Sequence, residues 1–142
     1  MSADRTLRVG VDVVSVDSVL ASVERFGHRY LDRLFTDHEQ QACAGPPRRR
    51  AESLAARFAA KEATVKALRL ADGPGDWRAI EVRRRPGGWP ELVLTGAPAE
   101  AAARAGVDDL AVSLSHEGDT AVAMVMCTAS GGAPERGAAG EY

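Results

Sequence analysis

The chain has 142 residues, 45% of them apolar, which is one domain's worth of sequence with enough apolar material for a real core. A net charge of −2 excludes generic nucleic-acid binding, which needs a strongly basic domain, and no apolar run reaches transmembrane length. Met1 to Thr6 lacks the apolar core of a secretory signal, and Cys43 and Cys127 have neither paired nor metal-ligand spacing, so the expectation is a soluble cytoplasmic protein with reduced thiols and no membrane partner.

Residues 1–6 are expected to be flexible. Leu7 to Val14 alternates as a strand, with Leu7, Val9, Val11 and Val13 on one face and Asp12 on the other, beside Gly10. Val19, Leu20, Val23 and Phe26 recur at helical spacing up to Gly27, a natural stop. Thr36-Asp37-His38-Glu39 has the spacing of a capping box and opens a short helix. Gly45-Pro46-Pro47 ends it, and Arg48-Arg49-Arg50 leads into a long helix, roughly Ala51 to Leu70.

Gly73-Pro74-Gly75 is a turn. Ile80 to Arg85 reads as a half-exposed strand, paired through Pro86-Gly87-Gly88 with a second strand, Glu91 to Leu94. Ala97 to Ala105 is an alanine-rich helix closed by Gly106, and Leu110 to Ser115 with Thr120 to Cys127 forms a last strand pair. The tail, residues 129–142, is Gly/Ala-rich without periodicity and is expected to be disordered. The order is β-α-α-α-β-β-α-β-β, an α+β fold in one domain, residues 7–128.

The long helix carries the most chemistry. The 18 basic residues comprise 16 Arg and two Lys, and both lysines, Lys61 and Lys66, flank Glu62. In a chain that otherwise chooses Arg, this usage points to a compact ammonium. Leu54, Phe58, Val65 and Leu68 share one seam, and Lys61 projects almost into it, where an ammonium must meet an anion or reach water. Glu62 and Lys66 are an i,i+4 pair, which on an ordinary surface helix contributes only a few tenths of a kcal/mol. Asp12 is either a turn cap or one of a pair of carboxylates, with Glu62, that holds Mg²⁺ through oxygen. Ser113-Leu114-Ser115-His116 ends a strand, a place where a histidine often merely caps. Arg48-Arg49-Arg50 is either a solvated run or a phosphate grip at a helix start.

Three blocks together resemble the holo-acyl-carrier-protein synthase family, the small type of 4′-phosphopantetheinyl transferase. They are Val9-Gly10-Val11-Asp12-Val13-Val14, Ala56 through Ala67 around Arg57-Phe58-Ala59-Ala60-Lys61-Glu62, and Val112-Ser113-Leu114-Ser115-His116. The resemblance implies a 4′-phosphopantetheinyl transferase-like fold and a homotrimer with an active site at each subunit interface. It implies attack by a carrier-protein serine on the β-phosphate of coenzyme A, with adenosine 3′,5′-bisphosphate leaving. Asp12 and Glu62 would hold Mg²⁺, Glu62 would take the serine proton directly or through a metal-bound water, and Lys66 would steady the developing negative charge or protonate the leaving phosphate. Arg48, Arg49, Arg57, Lys61, Gly73, Gly75, Pro90, Ser115 and His116 become the candidates for contact with coenzyme A. Arg25, Phe26 and Arg29, with Arg33 beyond them, become the candidates for an acidic apo acyl carrier protein.

The chain also departs from that pattern. Where family members usually carry an arginine six residues after the first aspartate, it has Ser18, preceded by Asp17. Five residues, Leu68 to Asp72, intervene before the glycine turn that normally follows the long helix at once. Trp89 stands where a lysine often precedes the hairpin proline. These departures point to a specialised carrier, such as one of polyketide synthesis. The rival readings are a paralogue that binds coenzyme A or a carrier without turnover, and a plain interaction module.

Overall fold

A computed structural model describes residues 4–131. Its framework is an antiparallel sheet in the order β1 (Arg5–Ser15), β5 (Thr120–Ser130), β4 (Leu110–Glu117). The β1–β5 ladder runs unbroken from Arg5 opposite Ser130 to Ser15 opposite Thr120. This corrects the expected boundaries, because residues 5–6 and 129–130 are strand. The ladder satisfies their backbone groups, and Arg5 ties the end down by donating to Thr128 Oγ1 at 2.9 Å and Gly106 O at 3.3 Å. The rest of the expected tail, from residue 132, lies outside the described residues.

The alternation in β1 separates two faces. Gly10 and Asp12 look toward α4 (Pro47–Leu68), while Leu7, Val9, Val11 and Val13 are 48–62% exposed on the other side with Met124 and Met126 of β5. Helix and sheet approach so closely that a Cβ at Gly10 would meet Ala63 O at 2.0 Å. Ala55, Ala59, Ala60, Ala63 and Ala67 are fully buried and form the true contact seam, whereas Phe58 and Val65 are only half-buried. Small side chains let α4 lie close against the sheet, and the hairpin joins the same core, with Val82 and Leu92 packed among the α4 alanines and Val112 and Val125 of the sheet.

Four helices precede the hairpin, not three: α1 (Val16–Phe26), α2 (His28–Leu34), α3 (Asp37–Ala42) and α4. The order is therefore β-α-α-α-α-β-β-α-β-β. Gly27, at φ 53°, does end α1, but the chain re-enters a helix at once. The seven residues of α2 bury only Leu31 and Leu34, too short a run for periodicity to register. The expected capping box opens α3, with Thr36 Oγ1 accepting from Glu39 N and Glu39 Oε1 from Thr36 N.

The hairpin pairs β2 (Ile80–Arg84) with β3 (Pro90–Leu94), and α5 (Gly96–Arg104) follows. Ile80, Glu81 and Val82 are buried, so β2 is a core strand at its start rather than half-exposed. α4 ends at Leu68 because Arg69 adopts a left-handed conformation, φ 56° and ψ 46°, its N–H returning to Lys66 O. Among the described residues no helix is long and apolar enough to cross a membrane.

Candidate active site

The packing of β1 on α4 brings Asp12, Glu62 and Lys66 into one cluster. Lys66 Nζ donates to Asp12 Oδ1 at 3.0 Å and to Val11 O at 2.8 Å. With both carboxyl groups ionised, Asp12 Oδ2 is buried and has no donor. Burial, then a shared hydrogen bond with Asp12 and the charge of that carboxylate, push Glu62 up to about 7, against the opposing charge of Lys66. Two adjacent carboxylates with an unsatisfied buried oxygen suit a hard, oxygen-seeking cation. No group of three or more His, Cys, Asp or Glu side chains gathers among the described residues. A cation here would take two protein ligands and complete its shell with water or phosphate, which is the habit of Mg²⁺ rather than Zn²⁺.

Lys61 is corrected. Its side chain is fully buried, and Nζ donates to Glu39 Oε1 at 2.7 Å, Trp77 O at 3.1 Å and Ile80 O at 2.5 Å. All three donors are used inside the protein, so Lys61 is withdrawn from the set that would grip coenzyme A. Glu39 completes the lock by accepting from Val82 N at 3.1 Å, joining α3, α4 and β2 through one ion pair.

Arg57, Ser115 and His116 line a second feature, a cavity of about 330 Å³ between α4, β4 and the hairpin. Arg57 is only 5% exposed, yet its Nε has no partner. A buried guanidinium with an idle donor at a cavity wall is an anion site in waiting. Arg84 of β2 joins the lining and was missed in sequence, where it read as one of a run of strand arginines. Burial pushes the neighbouring Cys43 thiol up, while Arg57, Arg50 and Arg84 oppose the shift, so three guanidinium groups crowd this region. Pro90 pairs with Arg84 across the hairpin.

The remaining candidates separate. Arg48 is bound to Asp17, with Gly118 O at 3.1 Å, Glu52 at 3.6 Å and Asp119 at 4.0 Å, so acidic groups of its own chain occupy it. Arg49 is exposed. Gly73 and Gly75 fall in the loop after α4, and Gly75 lines a larger cavity, about 500 Å³, away from Arg57. Of the charged side chains there, Asp76 and Arg78 are paired with each other, and Asp37 is the third. On the helical surface, the Arg25 guanidinium lies 5.1 Å from the Phe26 ring centre. Phe26, Arg29, Tyr30 and Arg33 surround a mainly apolar cavity of about 430 Å³. Tyr30 carried no sequence signal beyond its place two residues after a histidine; burial pushes its hydroxyl up to about 12.

Fold and cluster thus define an α+β protein that pairs two carboxylates and a lysine with an arginine-lined cavity, the equipment of a phosphoryl-group enzyme. The model of the 4′-phosphopantetheinyl transferase superfamily matches residues 8–125. Holo-[acyl-carrier-protein] synthase of Desulforudis audaxviator is 48% identical over 121 residues, 84% of this chain and 91% of that protein. The Mycobacterium tuberculosis acyl carrier protein synthase structure is 39% identical with a TM-score of 0.67, covering 86% of this chain and 96% of that one. The Helicobacter pylori holo-[acyl-carrier-protein] synthase, solved in complex with coenzyme A, is 29% identical with a TM-score of 0.72 and covers 84% and 98%. The chain belongs to the 4′-phosphopantetheinyl transferase superfamily and is an enzyme of its holo-acyl-carrier-protein synthase type.

Proposed function

We propose that the protein transfers 4′-phosphopantetheine from coenzyme A to a serine of an apo acyl carrier protein, with Mg²⁺, releasing adenosine 3′,5′-bisphosphate. The observation that carries the reading is the meeting of Asp12, Glu62 and Lys66, with the unpartnered Asp12 Oδ2 at its centre. Asp12 and Glu62 would hold the ion, which when bound neutralises charge on the pyrophosphate. Glu62 takes the serine proton as the hydroxyl oxygen attacks the β-phosphorus. The bond from that phosphorus to the bridging oxygen breaks, and Lys66 steadies the negative charge left on the departing phosphate.

A homotrimer with shared sites is part of this reading. Glu62 and Arg57 are five residues apart on α4, about 140° around the helix, so one subunit turns them in different directions. The exposed apolar strip Leu7, Val9, Val11, Val13, Met124 and Met126 gives a second copy something to bury. Arg25, Phe26 and Arg29 offer an acidic carrier an apolar centre with cations beside it. Support for a specialised, polyketide-type carrier comes from the head of α1, where Ser18 is exposed and Asp17 pairs with Arg48, and from Trp89, 76% exposed at the hairpin tip. The relatives described above lend no support to a non-catalytic paralogue.

Intact-mass analysis of apo carriers incubated with the protein, coenzyme A and Mg²⁺ tests the proposal. One fatty-acid carrier and one polyketide carrier should be compared, with a metal-free control. A metal-dependent gain of one phosphopantetheine is expected, larger on the polyketide carrier. No gain on any carrier would overturn the transferase reading, and clear preference for the fatty-acid carrier would overturn the specialised one.

A further inference from the structure

The residues inserted between the long helix and the glycine turn have no place yet in the reaction, and they include Arg69. Arg69 stands seven residues after Glu62, which on a helix is about 10 Å further along and within about 20° of the same side, with Lys66 between them. Its backbone is left-handed, φ 56° and ψ 46°, a geometry that suits glycine. A cation at a helix C-terminus gains from the dipole, which repays only part of that strain. The backbone N–H groups of Arg69 and Leu70 already return to Lys66 O and Val65 O. Among the described residues the exposed Arg69 guanidinium makes no hydrogen bond or ion pair, even with the exposed Asp72 three residues on. Arg8 joins it from β1, on the face that carries Gly10 and Asp12. A Cβ at Gly10 would come within 2.9 Å of Ala67 N, so the last turn of α4 lies over Gly10 and Arg8 emerges past it. Arg8 Nε is buried without a partner. Cys127 faces Arg8 across the ladder, and the charges of Arg8 and Arg69 both oppose the upward push of burial on its thiol, so the two guanidinium groups share one neighbourhood. Neither arginine lines any of the cavities described above. Two cations at an open surface beside a reaction centre fit the face of an acidic protein better than a small enclosed ligand.

From this placement we infer that Arg69, supported by Arg8, is a specificity-determining contact for the carrier, pairing with a carboxylate that stands about 10 Å from the reactive serine. The inference rests on the transferase reading. There the serine hydroxyl has to reach Glu62, so the carrier surface flanking the serine passes over the end of α4. Arg25, Phe26 and Arg29 would hold the carrier at a distance from the chemistry, whereas Arg69 reads the stretch beside the serine itself. The left-handed arginine is then kept for recognition at a position where stability alone favours glycine.

The test uses the full-length protein and whichever of the two apo carriers named above gains phosphopantetheine faster. That carrier is compared with a variant of itself in which every Asp and Glu within two helical turns of the serine is changed to Asn or Gln. Steady-state kcat/KM for the carrier and KM for coenzyme A are measured for wild type, Arg69→Gly and Arg8→Gln, with melting followed by circular dichroism. Arg69→Gly should lower kcat/KM on the unaltered carrier by about threefold, the scale of one exposed ion pair, and leave the KM for coenzyme A unchanged. It should melt no lower than wild type, so misfolding does not mimic the loss. Arg8→Gln should show a smaller loss, and on the neutralised carrier all three proteins should perform alike. Equal losses on both carriers, an undiminished rate in Arg69→Gly, or a raised coenzyme A KM in that variant would overturn the inference. A faster carrier with no carboxylate in that stretch would overturn it too. No transfer by the wild type to either carrier would overturn the transferase reading and this inference with it.

Discussion

Replacing Lys61 by methionine separates a structural lysine from a ligand-binding one. Methionine fills much the same volume but leaves Glu39, fully buried, without its cation. Two backbone donors would still face that carboxylate, Thr36 N and Val82 N, each at 3.1 Å. Removing one partner of a buried pair costs about 3–5 kcal/mol, because the remaining charge stays desolvated. That is a large part of a typical stability of about 5–15 kcal/mol. For a chain of this size the melting temperature should drop by about 10–15 °C, at roughly 3 °C per kcal/mol. Adding Glu39→Gln removes the orphaned charge but keeps an acceptor for only one of the two backbone donors, which bond different carboxylate oxygens, so the double variant should recover part of the loss. Urea denaturation followed by circular dichroism measures the stabilities. The folded fraction of Lys61→Met should keep an unchanged KM for coenzyme A. A weakened coenzyme A KM with an unchanged melting temperature would refute the buried-pair reasoning and return Lys61 to the ligand.

Three more expectations can be checked with simple variants. The metal-free protein should lose stability as pH rises through about 7. Glu62, raised by burial and by Asp12, binds its proton more tightly folded than unfolded, so its contribution is complete below the unfolded pKa and lost through the folded one. Glu62→Gln should flatten that part of the stability profile and Mg²⁺ should restore the wild type at pH 8; an unaltered profile in the variant would clear Glu62 of the effect. Arg69→Gly should stabilise the protein by about 0.5–1 kcal/mol, since glycine adopts the φ 56° geometry without a Cβ penalty, and a destabilised variant would mean the arginine side chain outweighs that strain. Ser18→Arg should lower the KM for an acidic fatty-acid carrier, by severalfold if one exposed ion pair forms; an unchanged KM in steady-state assays would remove the head of α1 from carrier choice.

Much of this protein was written locally. The alternation of β1 announced an apolar face and a face bearing Gly10 and Asp12, and Thr36 with Glu39 announced a helix start, because both patterns depend on neighbours a few residues apart. Three short blocks, around Asp12, from Ala56 to Ala67 and around His116, together pointed to the family. The spacing of the second also required that an ammonium at position 61 meet an anion or reach water, for desolvation makes any other outcome expensive. That it met an anion rather than water, and which one, was decided only by tertiary structure, through Glu39, 22 residues earlier on another helix. That same packing withdrew Lys61 from the ligand, tied Arg48 to Asp17, and carried Arg84 of the hairpin to the cavity wall beside Arg57. Asp12 and Glu62 meet because Gly10 lets β1 lie against the alanine seam of α4. Side-chain type and short-range period are properties of a segment. Burial, charge partnership and which arginine faces the cavity depend on what the rest of the chain places opposite, and only the folded packing settles that.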